Sequence, residues 1–382
     1  MKEDARYFET DLAIIGSGIA GFAASIFAIN RTMKTAQIGN TGAVAYTTGY
    51  LDLLGKIGDD KKTVHDPWQA LEKMRKEQPG HPLNTIPAED IQRSFEEFTG
   101  FLGECGIAYS KPQQTNLTAL TPAGTLKPTL SVPATMEAGV HAFSAKTPCV
   151  IVDFRGLKGF SGRQVVANLQ DRWPTISSER ILFPDMDHGE IYPEVMARAL
   201  EVAATREKLA VLLKKAAGDA AIIGLPAVLG MHSPDKVKAD LEKLTGLTIF
   251  EIPTMPPSVP GIRLREMFEQ VFPQKGITLI PQQKVTGLNF EPTGAQLSLR
   301  DNHGPINIHS KTVILATGRF LSGGLEAGIT GITESLLDLP VKQPAKRAEW
   351  YLNTYTDKRG HAIHKAGVEV DTSFRPLTAN GT

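Results

Sequence analysis

At 382 residues the chain has the length of two ordinary domains of roughly 100–200 residues each. Its 41% apolar and 21% charged residues suit a globular enzyme, and 41 basic against 41 acidic side chains remove the electrostatic basis for binding nucleic acid or an anionic membrane. Two cysteines, Cys105 and Cys149, can furnish neither a four-cysteine iron–sulfur cluster nor a CxxC redox pair, so buried free thiols in a cytoplasmic chain are expected.

The first ten residues mix Lys2, Glu3, Asp4 and Arg6 and do not resemble a secretory leader. The apolar stretch from Leu12 to Ile29 is interrupted by glycines, and the run from Ala220 to Met231 is short and contains Pro226, so neither is expected to span a membrane. Thr10 to Ile15 reads as a buried parallel strand and Phe22 to Asn30 as an alanine-rich helix, with Gly16-Ser17-Gly18-Ile19-Ala20-Gly21 between them. In this GxGxxG spacing Gly16 makes the tight turn, Gly18 lets a pyrophosphate approach the backbone, and Gly21 lets helix and strand pack closely. The helix N-terminus then offers free N–H groups and a positive dipole end to the phosphate. A second strand over Thr35 to Ile38 completes the context of a nucleotide-binding unit; the alternative is a glycine turn used only for packing. The acid that ordinarily follows such a strand and holds ribose hydroxyls is missing, and Asn40 is the nearest substitute.

The following loop, Gly42 to Gly55, is rich in small and hydroxyl side chains and suits close approach to a flat ring. Thr47, Thr48 and Gly49 are the candidates for an isoalloxazine contact, with a surface turn as the alternative reading. Helical spacing of apolar residues predicts helices over 66–77 and 88–104, and Leu117 to Leu126 reads as a hairpin. Strand-like and helical runs then alternate: 149–154 with 161–173, 220–225 with 235–244, and 247–252 with 257–272. That alternation predicts a second parallel sheet inserted into the first unit. Short strands flank Asn302-His303-Gly304-Pro305, and Thr312 to Leu315 runs into Ala316-Thr317-Gly318 as a return strand that brings backbone to the cofactor. The expected fold is α/β: a Rossmann-like FAD/NAD(P)-binding domain over 1–60 and 275–382, with an inserted α/β cap domain over 61–274.

Through Thr47-Thr48-Gly49-Tyr50-Leu51-Asp52-Leu53-Leu54, the chain resembles the B-type subunits of anaerobic glycerol-3-phosphate dehydrogenases, within the fumarate-reductase-like flavoproteins. Three further segments carry the resemblance: Pro253 to Leu264, including Met255-Pro256-Pro257-Ser258; Ala316 to Leu325; and Glu349-Trp350-Tyr351. The resemblance implies a subunit that oxidises sn-glycerol 3-phosphate to glycerone phosphate. It also implies FMN as cofactor, with FAD, favoured by the GxGxxG, as the alternative. Implied partners are a catalytic A-type flavoprotein subunit and an iron–sulfur membrane-anchoring subunit that passes electrons to quinone, which would hold the chain at the inner face of the cell membrane. Members of the family continue with a glycine-rich strand-to-helix segment that closes over the flavin, and this sequence reaches Asn380-Gly381-Thr382 without it, so a fragment or weakened flavin binding is expected.

A phosphorylated substrate calls for cations, and Arg263, Arg319 and Arg375 are the candidates, each with a structural ion pair or solvated surface as its alternative. His361 and His364 have a metal-compatible spacing on a helix but lack a third ligand, so no metal is expected. No residue stands out as catalytic base. Two other readings stay open: a non-catalytic scaffold or electron-relay subunit, and an NAD(P)H-dependent flavin reductase, which ordinarily carries a second GxGxxG not seen here.

Overall fold

The structure, a computed structural model, describes residues 5–39, 44–58 and 61–378. Asn40, the glycine and alanine that open the following loop, and Asn380-Gly381-Thr382 lie outside the described residues. The architecture is α/β, built on two principal sheets.

The first sheet has six strands in the order Thr278–Pro281, Thr35–Gly39, Arg6–Ile15, Gly304–Leu315, Gly294–Asp301 and Gly287–Glu291. The first four are mutually parallel and the last three form an antiparallel meander. The opening strand begins at Arg6 rather than at Thr10, because the long partner strand continues the ladder back to an Arg6–Ile306 pair. In register, Ile15 lies between Ile38 and Leu315, so all three strands end at one edge. Chain connections leave that edge in opposite directions, the topological switch point at which open α/β sheets bind ligands.

The second sheet is wholly parallel, in the order Thr248–Ile252, Ile222–Pro226, Cys149–Phe154 and Ile176–Ile181. Helices cover both faces. Leu209 and Leu213 of Ala203–Ala217 and Val237 and Leu241 of Pro234–Thr245 pack on one side. On the other lie Phe143 of Ala134–Ala145, Val165 and Leu169 of Gly162–Leu169, and Trp173. Burial on both faces is why its central strands read as nearly unbroken apolar runs.

The helix Val259–Gln274 ties the two sheets together. Phe268 stacks on Phe22 of the helix Ile19–Asn30, with centroids 4.2 Å apart, and Phe272 meets Phe22 edge-on at 5.7 Å. Phe98 and Phe101 of Ala88–Glu104 close the same cluster. One turn nearer its start, Arg263 forks to Glu251 of the second sheet through two 2.7 Å hydrogen bonds, and its Nε donates to the Gly230 carbonyl at 2.8 Å. Glu251 also accepts from the Thr135 hydroxyl at 2.7 Å and the Leu229 N–H at 2.6 Å. The two charged side chains are 2% and 0% exposed, so neither has water to fall back on. Burial alone raises the Glu251 carboxyl, but Arg263 and the Thr135 and Leu229 donors outweigh it and hold the group below the usual glutamate range.

A smaller buried strut sets the glycine turn. Gln37, fully buried in the second strand, donates from Nε2 to the Gly16 carbonyl at 2.9 Å and accepts from the Ser25 hydroxyl at 2.9 Å.

Replacing Gln37 by leucine strands the Gly16 carbonyl and the Ser25 hydroxyl, and is expected to cost about 1–3 kcal/mol. Urea unfolding checks this; a midpoint equal to wild type, with unchanged m, contradicts the strut. Arg263→Met leaves the Glu251 charge buried alone and is expected to cost about 3–5 kcal/mol, whereas the double variant E251M/R263M recovers part of that loss. The recovery is partial because Thr135, Leu229 and Gly230 lose their partners. Since the folded carboxyl titrates below its unfolded value, its stabilisation is complete above a pH of about 4.3 and fades as the pH falls towards the lowered folded value. The double variant is therefore expected to show a flatter stability profile in that acid range.

Candidate functional site

A cleft of about 540 Å³ opens along the carboxyl edge of the first sheet. Residues Gly16, Ser17, Gly18, Ile19 and Ala20 form one wall, and Ala316, Thr317 and Gly318 face them. Two backbone bonds fix this juxtaposition: the Gly16 N–H donates to the Ile38 carbonyl at 2.7 Å and the Ala316 N–H to the Ile15 carbonyl at 2.8 Å. Gly16 has φ +135°, and a Cβ there would lie 2.0 Å from the Ala316 carbonyl oxygen, so any side chain is shut out twice. Gly21 serves packing, its missing Cβ leaving room for the Gly16 carbonyl 2.2 Å away.

Gly18 is different. A Cβ placed on it would meet nothing within 4 Å, and its φ of −85° suits any residue. Its bareness therefore answers no demand of the protein interior and leaves open space at the start of the helix Ile19–Asn30. No side chain caps that helix, so its first N–H groups remain available to an anion.

The remaining expectations fall in several places. Tyr46, from the short 3₁₀ turn Val44–Tyr46, lines the cleft, whereas Thr47, Thr48 and Gly49 are not among its lining residues. Their polar groups are used locally: the Thr47 hydroxyl accepts from the Gly49 N–H at 3.2 Å, the Thr47 carbonyl from the Ser258 hydroxyl at 3.1 Å, and the Gly49 carbonyl from the Tyr109 hydroxyl at 2.8 Å. Arg263 is corrected from substrate candidate to core ion pair, because its guanidinium is already spent on Glu251 and Gly230. Arg319 follows the Ala-Thr-Gly turn but turns away, donating to the Ile363 carbonyl at 3.0 Å. Arg375 is exposed and pairs with Asp371 at 2.7 Å. The structure thus brings none of the three arginines to the cleft.

Sequence reasoning missed the segment Gln282-Gln283-Lys284-Val285, which lines the cleft beside the end of the second strand. Its only local signal is the turn after the edge strand Thr278–Pro281, where Gln282 adopts φ +57° and donates its N–H to the Gly39 carbonyl at 2.8 Å. Leu321, Ser322, Gly323, Ser335 and Leu336 complete the rim. A second hollow of about 500 Å³ lies beside it, sharing Gly323 and lined by Phe320, Leu325, Tyr351 and Ile363 among others. Trp350, next to Tyr351, is buried in the small core behind it. His361 sits in the same region with both ring nitrogens engaged, Nδ1 by the Leu352 N–H and Nε2 by the Tyr355 carbonyl.

Among the described residues lining the cleft there is no histidine, aspartate, glutamate or arginine. Its chemistry is that of backbone N–H groups, hydroxyls, amides and one lysine. That set can bind a phosphorylated nucleotide and exclude water, and it offers no general base of ordinary pKa.

Comparison with known proteins agrees with this geometry. The family described as FAD binding domain matches residues 11–382. The chain is 29% identical to the B-type subunit of anaerobic glycerol-3-phosphate dehydrogenase of Aliivibrio fischeri, over 96% of this chain and 86% of the relative. It is 28% identical to the proteins of the same name from Vibrio vulnificus, at the same coverage, and from Yersinia pestis, over 96% and 88%. Among solved structures, 3-ketosteroid-delta4-(5alpha)-dehydrogenase from Rhodococcus jostii RHA1 aligns at 12% identity over 82% of this chain and 46% of its own, with a TM-score of 0.30. Glycine oxidase from Geobacillus kaustophilus aligns at 12% identity over 81% and 56%, with a TM-score of 0.28. The chain spans less than two thirds of either solved chain. A flavin with its phosphates fits the donors present, namely the uncapped helix start, the bare Gly18 and the opposed Ala316-Thr317-Gly318 backbone. The chain belongs to the FAD binding domain family of flavoproteins and, within it, resembles the B-type subunit of anaerobic glycerol-3-phosphate dehydrogenase.

Proposed function

We propose that this chain carries FAD in the cleft and serves as a flavin-bearing subunit of a complex that oxidises sn-glycerol 3-phosphate to glycerone phosphate. In this reading an A-type flavoprotein subunit accompanies it, and an iron–sulfur subunit anchors the complex at the inner face of the membrane and passes electrons to quinone. The observation that carries the cofactor assignment is Gly18, bare and facing open space beneath an uncapped helix. FAD takes the place of the FMN first expected, because the family match is to an FAD binding domain. The relatives' designation as one subunit among several supports assembly with other chains. No helix among the described residues is long and apolar enough to cross a membrane, which fits attachment through a partner.

When bound, the flavin supplies a two-electron acceptor for the substrate alcohol. The chain's own residues would hold it: the N–H groups of Ile19 and Ala20 would donate to its phosphates, the Ala316–Gly318 backbone would face it, and Ile15, Ile38 and Leu336 would give it apolar walls. The division into a discontinuous cofactor unit, 1–60 with 275–382, and an insertion over 61–274 belongs to the same proposal. A second reading has a specific observation in its favour: with no carboxylate or imidazole on the described cleft wall, proton removal falls to a partner chain and this one relays electrons.

Gly18→Ala is expected to fold with at most a small loss of Tm, since the added methyl meets nothing and only the N-cap preference for glycine over alanine is lost, yet to weaken FAD binding about tenfold or more by blocking phosphate approach. Flavin fluorescence titration of apo-protein measures it, and wild-type affinity in the variant removes the phosphate assignment. Anaerobic mixing of the flavin-loaded chain with sn-glycerol 3-phosphate, alone and with the A-type partner, separates the two readings. Bleaching by the chain alone supports the first, bleaching only with the partner the second, and bleaching in neither excludes both.

A further inference from the structure

Among the described residues the cleft wall holds one formal charge, and it is positive. Lys284 is the sole charged residue on the described wall, and no hydrogen bond or ion pair engages its ammonium among the described residues. Every other cleft residue is apolar, hydroxylic, amidic, phenolic or glycine. An exposed lysine with freedom to choose usually finds a carboxylate or lies on a solvated face; this one stands at a built position.

Its backbone is fixed on both sides. Upstream, the Gln282 N–H is bonded to the Gly39 carbonyl at 2.8 Å, which ties the loop to the end of the second strand. Downstream, Val285 is buried at 3% exposure, and Thr286 bonds the Ser298 carbonyl through its N–H at 2.9 Å and its hydroxyl at 3.1 Å. Lys284 therefore stands next to the strand end from which a ribose-binding acid ordinarily projects. At that end the chain has Gly39, where a Cβ would lie 2.8 Å from the Ser17 nitrogen, so no side chain of any kind fits there.

The missing acid and the unpaired lysine are two sides of one design. A carboxylate at the strand end accepts from two ribose hydroxyls and repels nearby phosphate, whereas an ammonium attracts that phosphate. With the helix start already positive, the formal charge on the described wall adds to it in the same sign.

We propose that Lys284 is the specificity-determining residue of the cleft, selecting the cofactor by the anionic charge of its phosphates rather than by its ribose hydroxyls. This rests on the reading of the cleft as a flavin-nucleotide site. It makes binding steeply dependent on salt and on the phosphate content of the flavin, and indifferent to the adenosine 2′-hydroxyl.

The test is equilibrium titration of full-length apo-protein with FAD, 2′-deoxyadenosine FAD, FMN and riboflavin at low and high salt, read by flavin fluorescence. Wild type is compared with Lys284→Gln and Lys284→Glu. Both substitutions are at an exposed side chain, and unchanged Tm values confirm intact folding. The expected result is an FAD affinity reduced about tenfold in Lys284→Gln and further in Lys284→Glu, the order of one charge-assisted hydrogen bond. Salt dependence shrinks in Lys284→Gln, riboflavin binding is unmoved, and the deoxy cofactor binds wild type as FAD does. FAD affinity and salt dependence in Lys284→Gln equal to wild type overturn the proposal, as does a large loss with the deoxy cofactor. Wild type that binds no flavin refutes the cofactor reading itself, an outcome distinct from either.

Discussion

Two segments from opposite ends of the chain meet where there is no room for a single carbon. The Gly16 turn and the Ala316 carbonyl pass so closely that a methyl on Gly16 would lie 2.0 Å from the oxygen. This approach is possible because Arg6–Ile15 and Gly304–Leu315 are hydrogen-bonded neighbours in register and stop at the same level. The helix start, the bare Gly18 and the opposed Ala-Thr-Gly backbone take their positions from that crossing. The cleft is a consequence of strand order and of glycine, not of a set of reactive side chains.

The helix Val259–Gln274 links the second sheet to this crossing. It contributes Phe268 and Phe272 to the aromatic cluster around Phe22, and Arg263 to the buried pair with Glu251. At its start, the Ser258 N–H and hydroxyl hold the Ala45 and Thr47 carbonyls, and Gly261 lies so close to the Val44 carbonyl that a Cβ would be 2.4 Å away. The loop that carries Tyr46 into the cleft is thus positioned by the insertion. The proline-rich stretch Pro253 to Leu264, which carried the sequence resemblance, leads into the helix that links the two sheets.

What could be read from the sequence was local. The strand, glycine turn and helix at the N-terminus, the hairpin of Leu117–Leu120 with Leu126–Thr129, and the alternation that builds the second sheet all have short-range signals in spacing, turn residues and apolar runs. The strand Ile176–Ile181 gave no such signal because it is an edge strand of sequence Ile-Ser-Ser-Glu-Arg-Ile with only one side chain fully buried. The helix Ala134–Ala145 was equally silent, being rich in small residues without a strong apolar stripe. Arginines misled for the same reason in reverse: Arg263 had the chemistry of a phosphate ligand, and its true partner Glu251 is twelve residues away on a strand whose neighbours the sequence does not reveal. Lys284 belongs to no motif, and only the fold brings it to the cleft.

The placement of Gly304–Leu315 beside the opening strand also sets a timetable. Ribosomes deliver Arg6–Ile15 first, but its partner on one side emerges only when Leu315 has been made. Until then the strand has Thr35–Gly39 alone for company, and its other edge stays open to wrong pairing. The insertion, whose four strands fall between Cys149 and Ile252, can complete its own sheet in the meantime. Nascent chains of this protein are therefore expected to wait, half built, with a finished middle and an exposed beginning, a state in which chaperone demand would be greatest.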